Sequence, residues 1–280
     1  MKHASILLLL ILTSSITMLF STGMNELPVT HDLETLGKSG IVVVTCDIPD
    51  VFVSQKEHLR NPVIQLTGRD KDEFDITVEE QGGNVTVQVE RKNPKSTELR
   101  NYKAELNVFL PSEFRDRELH VLCGSGALNI SNDLTSSKIV LSTASGTINF
   151  QQLNGEHEVR LQSASGSIKG QSVICGKTIV STASGNIDID RIASGTNGTL
   201  QVESASGAIM LSDVEVFRAT LYSISGSIRC TIPKDFYTSI DVKTVTGSIS
   251  KQIAQYDTNK AETIASIAIA TVTGSITIEN

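Results

Sequence analysis

The sequence has no tryptophan and only 8 Phe and 4 Tyr among its 280 residues. A groove that reads sugar rings by stacking draws on Trp and Tyr, so carbohydrate recognition of that kind is disfavoured. Positive charge is also short: 24 Lys and Arg against 31 Asp and Glu leave a net charge of −7. Neutralising phosphates needs clustered basic residues, which argues against nucleic acid as a main partner. The 5 histidines, His3, His31, His58, His120 and His157, are scattered and show no H-x-x-x-H or H-E-x-x-H spacing. A zinc site is therefore not expected. A P-loop, a dinucleotide fingerprint, a G-x-S-x-G elbow and the calcium-binding nonapeptide repeat are all missing. Gly124-Ser125-Gly126 belongs to a repeat instead. No catalytic, cofactor-binding or metal-ligating residue is assigned, and no cofactor is expected.

Long apolar runs are missing too, with one exception at the start. Lys2 precedes an unbroken aliphatic run from Ile6 to Leu12, the apolar character continues to Phe20, and the small residues Ser21, Thr22 and Gly23 follow. This pattern reads as a secretory signal ending near Gly23. A retained membrane anchor is the alternative, since Ala4 to Phe20 is at the short edge of a bilayer span. Residues 1–23 are thus set apart as signal or anchor.

Composition then divides the chain. Residues 24–117 hold 17 acidic and 12 basic residues, whereas 118–280 hold 14 and 11 over a longer stretch rich in Ser, Thr, Ala, Gly and Ile. The second stretch is repetitive. CGSGALNI, TASGTINF, SASGSIKG, TASGNIDI, SASGAIML, SISGSIRC, TVTGSISK and TVTGSITI recur in order, with glycines at 126, 146, 166, 185, 207, 226, 247 and 274. The intervals are 20, 20, 19, 22, 19, 21 and 27, the last holding an insertion around Gln252 to Thr263. Most units open with x-φ-x-φ, as in Lys138-Ile139-Val140-Leu141. A Ser or Thr, a small apolar residue, another Ser or Thr and the Gly follow. Two residues after each Gly stands Leu128, Ile148, Ile168, Ile187, Ile209, Ile228, Ile249 or Ile276.

Alternation with period two, rich in β-branched residues, means strands. About twenty residues per unit, without the Asn-Gly or Asp-Gly turns of hairpins, selects a β-solenoid over a sandwich. Each unit is one coil, stacked about 4.8 Å from the next in parallel pairing. The Ile after each Gly is expected to form an internal column, and Gly to permit a positive φ at the corner. Ser145, Ser165, Ser184, Ser206, Ser225, Thr246 and Thr273 could line a hydroxyl-rich binding strip. The expected role is structural, with some of them inward at a tight corner.

The leader also reads as β, with strands near 40–45, 51–54, 63–67 and 104–110. A hairpin turns at Gln81-Gly82-Gly83-Asn84 between Phe74, Ile76, Val78 and Val85, Val87, Val89. The expected fold is all-β: a parallel β-solenoid of about eight coils over 118–280, with an N-terminal β capping module over 24–117. A strand edge left open at the C-terminal end, taken as Ser275 to Glu279, would support homo-oligomers or docking to an envelope partner; the equal alternative is that the insertion around Gln252 to Thr263 packs over it. Cys123, Cys175 and Cys230 fall in coils too far apart to bridge, and Cys46 could reach Cys123 at most. Asp188 and Asp190 share an outer face and could serve acid–base or cation chemistry; a solvated face is the expected reading. Arg160, Lys169, Lys177 and Arg191 could supply a basic residue to a polysaccharide lyase, but no spacing singles them out.

The [ST]-x-[ST]-G-x-I units behind a charged β leader resemble the bacterial putative-adhesin family of β-strand-repeat domains of unknown function, over roughly 38–280. The resemblance implies an exported or membrane-anchored envelope protein with a right-handed β-solenoid. Relatives often carry Asp after the Gly, where this chain has Thr147, Ser167, Asn186, Ala208, Ser227, Ser248 and Ser275, so a repeated cation site is not expected. The function expected is a non-enzymatic, adhesin-like scaffold or interaction module of the cell envelope, periplasmic or at the surface. Its partner would be an envelope protein or surface ligand, with membrane contact only through a retained N-terminal segment. An enzyme acting on envelope polysaccharide is the alternative; a cytoskeletal polymer like the bactofilins is opposed by the export signal.

Overall fold

The alternating apolar residues of the repeat fold into strands, each paired in parallel with its counterpart one unit away. The structure is a computed structural model that describes residues 28–32, 41–46, 50–81, 83–93, 102–195, 197–234, 236–253 and 265–280. The N-terminal segment 1–23 lies outside the described residues, as does most of the 252–263 insertion. The described chain is all-β apart from two short 3-10 turns.

Two parallel ladders run the length of the molecule. The first stacks Asn84–Arg91, Ile41–Cys46, Glu118–Cys123, Leu134–Thr143, the second half of Ile148–Ser163, Lys177–Thr182, Thr199–Ser204, Arg218–Ser223, Ala265–Thr273 and Tyr237–Thr246. The second stacks Glu105–Pro111, Asp50–Lys56, Leu128–Ile130, the first half of Ile148–Ser163, Ile168–Cys175, Ile187–Ala193, Ile209–Leu211, Ile228–Thr231, Ile276–Glu279 and Ile249–Gln252. These rungs, at about 4.8 Å each, make a stack a little over 40 Å long. Parallel pairing crosses residue 117 without a break, so two rungs are drawn from the leader. Antiparallel strands follow at that end: Phe74–Gln81 on Asn84–Arg91, Val63–Thr67 on Glu105–Pro111, and Val29–Asp32 on Val63–Thr67. The expected hairpin is there, with Gln81 opposite Asn84 and Gly83 at a φ of 85°.

The core is a set of columns. Val51, Leu128, Ile148, Ile168, Ile187, Ile209, Ile228 and Ile276 stack in register at no more than 1% exposure. Leu119, Ile139, Val159, Thr178, Leu200 and Ala219 form a second column, and Val121, Leu141, Leu161, Val180, Val202 and Leu221 a third. Fully burying such an aliphatic side chain contributes roughly 2 kcal/mol, repeated at every rung. Thr178 interrupts its column with a hydroxyl that has no hydrogen-bond partner. Phe150 is accommodated by the glycine opposite it: a Cβ on Gly170 would lie 2.0 Å from the ring.

The corner corrects two expectations. The inward hydroxyl is the first Ser or Thr of each motif, not the second. Thr143, Ser163, Thr182, Ser204 and Ser223 are buried and accept hydrogen bonds from the N–H of Gly146, Gly166, Gly185, Gly207 and Gly226 at 2.7–3.0 Å. The second hydroxyls are exposed and donate to the neighbouring rung, Ser165 to the Ala144 carbonyl, Ser206 to Ala183 and Ser225 to Ala205. The inner row, and the outer hydroxyls that make these bonds, are therefore spent on the backbone. Glycine, in turn, is not kept for a positive φ, which occurs only at Gly247 and Gly274 among the eight. It is kept because the rungs approach so closely: a Cβ on Gly166 would lie 1.7 Å from the Gly146 carbonyl oxygen, and the same holds up the stack.

The ends correct a third expectation. Ser275 to Glu279 is not an open edge, because Ile276–Glu279 pairs on one side with Ile228–Thr231 and on the other with Ile249–Gln252. The last repeat in the chain is the second-last in space. The 27-residue interval before Gly274 supplies the chain needed to step back one rung. A strand covered on both sides has no edge to protect, which is why 264–278 needs no charge. The leader does the same, since Ile41–Cys46 lies between Asn84–Arg91 and Glu118–Cys123. That pairing sets Cys46 opposite Cys123. Cys175 and Cys230 are buried thiols on separate rungs.

Replacing Ile187 with Asp puts an unpaired charge into the central column and is expected to destabilise by more than about 4 kcal/mol. Replacing the exposed neighbour Asn186 with Asp is expected to change stability by less than about 0.5 kcal/mol, because a carboxylate can still accept the Ala208 N–H that Asn186 Oδ1 now accepts at 3.0 Å. Chemical denaturation of the two variants checks the assigned parity; similar midpoints would refute it.

Candidate functional site

Strand alternation sends one residue in two to solvent, so the outer faces of the ladders are the surface on which a partner could act. The first ladder is charged over its early rungs. Glu118, Lys138, Glu158 and Lys177 occupy one outward column with alternating sign. Lys177 Nζ lies 2.7 Å from Glu158 Oε2, Arg160 pairs with Glu158 Oε1 at 3.0 Å, and His120 lies 3.1 Å from Glu118. Burial alone would raise the Glu158 carboxyl, but hydrogen bonds from Lys177 and Arg160, with their charges, hold it below its ordinary value. The cluster is saturated within itself.

The other residues singled out above are dispersed. Arg191 pairs with Glu215 at 3.2 Å and Asp213 at 3.8 Å. Lys169 and Asp188 are register neighbours on the second ladder, next to Met210. Asp188 is half-buried and Asp190 exposed, on the same outward parity. Further along that column, Asn149 Nδ2 donates to Asn129 Oδ1 at 3.0 Å. The structure therefore brings Arg160 and Lys177 together on Glu158 and leaves Lys169, Asp188, Asp190 and Arg191 outside that cluster. Among the described residues no group of three or more His, Cys, Asp and Glu is placed to hold a metal ion. Burial pushes the Cys175 thiol up and the Cys230 thiol up to about 12, so neither is a ready nucleophile.

Two features were not read from the sequence. One is an open trough of about 580 Å³ beside the corner, lined by Leu122, Ser142, Gln162 and Ser181 on the strands and by Ala144 and Ala164 at the turn. The other is a change along the corner itself. The residue between the two hydroxyls is Ala144, Ala164, Ala183 and Ala205 on successive rungs, then Ile224, Val272 and Val245. Ile224 is 48% exposed and Val245 79%, and the exposed Tyr222 lies on the same strand as Ile224's rung. The late rungs thus carry an apolar outer corner. The signal was present in SISG, TVTG and TVTG, the last three repeats in sequence, against the earlier TASG and SASG; the structure adds that Ile224 and Val245 point outward.

Among solved structures the fold is similar to that of a putative adhesin from Bacteroides fragilis, at 13% identity with a TM-score of 0.54, covering 91% of this chain and 100% of that one. It is also similar to a putative lipid binding protein from Parabacteroides distasonis, at 16% identity and a TM-score of 0.50, covering 91% of this chain and 98% of that one. Identities this low speak to the fold. Curated proteins give no match. The Toastrack DUF4097 family model matches residues 43–279, and the chain belongs to that family of domains of unknown function.

Proposed function

We propose that the protein is an exported, non-enzymatic module of the cell envelope, a right-handed β-solenoid that serves as an adhesin-like scaffold or interaction surface. The antiparallel strands of the leader act as its N-terminal cap. One observation carries the reading: the charge cluster on the outer face is paired within itself, Glu158 with Arg160 on its own strand and with Lys177 on the next rung, and serves cohesion of the stack. An enzyme would instead gather them around a cleft with a perturbed acid or base. The apolar corner at Ile224, Val272 and Val245 supplies the kind of contact area an interaction module uses. The signal-like residues 1–23 support export, and the adhesin-named fold neighbour is consistent with an envelope role.

Fractionation of cells producing the full chain, beside a chain lacking residues 1–23, tests the location. The full chain is expected in the envelope or outside the cell, and the shortened one in the cytoplasm. Equal cytoplasmic recovery of both would contradict the reading.

The structural role of the charge cluster gives a second test. A carboxyl held below its ordinary value stabilises the fold above the unfolded-state pKa, and that contribution is lost as pH falls through the folded-state value. Glu158→Gln is therefore expected to cost about 1 kcal/mol at pH 7 and to melt with the wild type near pH 2. A deficit that stays constant from pH 7 to pH 2 would contradict it.

A further inference from the structure

The spatially last rung ends the stack differently from the others. Its inner residues Ile240 and Val242 are only half-buried, where their counterparts Ile267 and Ile269 one rung inward are 1% exposed. Ile249, at the position where the other rungs hold a fully buried Ile, is 44% exposed. Among the described residues, Tyr237–Thr246 has one paired side, toward Ala265–Thr273. The direction of its free backbone groups follows from the ladder. Ser266 N–H donates to the Phe217 carbonyl, so from Ser266 to Thr271 even-numbered residues bond inward and odd-numbered ones bond toward Tyr237–Thr246. On Tyr237–Thr246 the odd residues answer them. The N–H and C=O groups of Ile240, Val242 and Thr244 then face away from the stack, and of these the Ile240 carbonyl accepts a hydrogen bond from Lys251 Nζ at 3.2 Å, which a second strand would displace.

Edges are commonly guarded by like charges that repel a second strand. This edge carries opposite charges two residues apart: Asp241 and Lys243, 57% and 74% exposed, 2.6 Å from each other on the outer face. We propose that Tyr237–Thr246 is a self-complementary edge that pairs antiparallel with the same strand of a second copy of this chain, about a two-fold axis at Val242. In that register Val242 faces its own mate through the free backbone groups. Asp241 stands opposite Lys243 of the second copy, and Lys243 opposite its Asp241, in the non-hydrogen-bonded positions where side chains approach most closely. Ile240 faces Thr244 of the copy on the inner side, so the aliphatic columns run on across the junction. Moving the axis to Asp241 or to Lys243 would set two like charges directly opposite each other, which is unfavourable. Axes at Ile240 or Thr244 would set no charges opposite each other, so the axis at Val242 is favoured as the one that forms two Asp–Lys pairs. The result is an isologous, closed dimer of two solenoids joined end to end.

Sedimentation equilibrium on the purified protein, beside Asp241→Lys, Lys243→Asp and the double exchange, tests this. Each single change turns two attractive cross-strand pairs into two repulsive ones, and is expected to weaken self-association about tenfold or more. The double exchange is expected to restore it, since it keeps the pairing with the signs reversed. Both residues are well exposed, so melting temperatures should stay within a few degrees of the wild type. Hydrogen exchange on the unaltered chain is the second readout: protection of the Val242 and Thr244 amides should rise with protein concentration. A wild type that remains monomeric to millimolar concentration, single variants that associate as well as it does, a double exchange that does not recover, or protection independent of concentration would each overturn the proposal.

Discussion

The stack rests on how closely two rungs can approach at the corner. There the backbone of one glycine lies against the glycine carbonyl of the rung beside it, at a separation where a single added carbon would be 1.7–2.0 Å from that oxygen on most rungs. The buried hydroxyl three residues earlier holds the corner by accepting the glycine N–H. Tight corners keep the two ladders in register. Register is what brings Ile over Ile in the columns, since a slip of one residue would turn every apolar side chain to solvent. The aliphatic columns supply most of the stabilising free energy, but the corner decides where they stand.

Much of this was legible in the sequence because the same constraint is written eight times. Repetition at about twenty residues gave the solenoid, and the invariant Leu or Ile two after each glycine gave the column that includes Ile148, Ile168 and Ile187. The single-residue roles were harder. Strand alternation through Thr143-Ala144-Ser145 allows either hydroxyl to be the inner one until the turn is known. A glycine needed for closeness also looks the same in one dimension as a glycine needed for a positive φ. The reordering of the ends was hidden for a different reason. Sequence order and spatial order agree through the middle of the stack, and the 27-residue interval marks extra chain without saying that the chain turns back. The apolar corner of Ile224, Val245 and Val272, by contrast, lies in three consecutive repeats; what needed the structure was that Ile224 and Val245 point outward.

The two ends share one device. In each, a strand early or late in the chain is inserted one rung inside the end of the stack, so that Ile41–Cys46 and Ile276–Glu279 have neighbours on both sides. Inserted strands cannot fray without breaking two ladders, which guards the ends of a quasi-one-dimensional fold where cooperativity is weakest. The ends then differ in how the outermost rung is treated. Antiparallel strands lie over the leader end, while the other end shows a strand with paired opposite charges and half-exposed aliphatics. The outer faces of the early rungs carry internal ion pairs, which fits the scaffold role proposed above.

The most direct test of the corner constraint compares two glycines. Gly166 has a backbone oxygen 1.7 Å from where its Cβ would be, whereas Gly195 has no atom within 4 Å of that point. Neither has a positive φ. If closeness of the rungs is the governing constraint, Gly166→Ala should lower stability by about 3 kcal/mol or more through forced backbone displacement, and Gly195→Ala should leave it unchanged or slightly raised. Equal unfolding midpoints for the two variants would contradict the account.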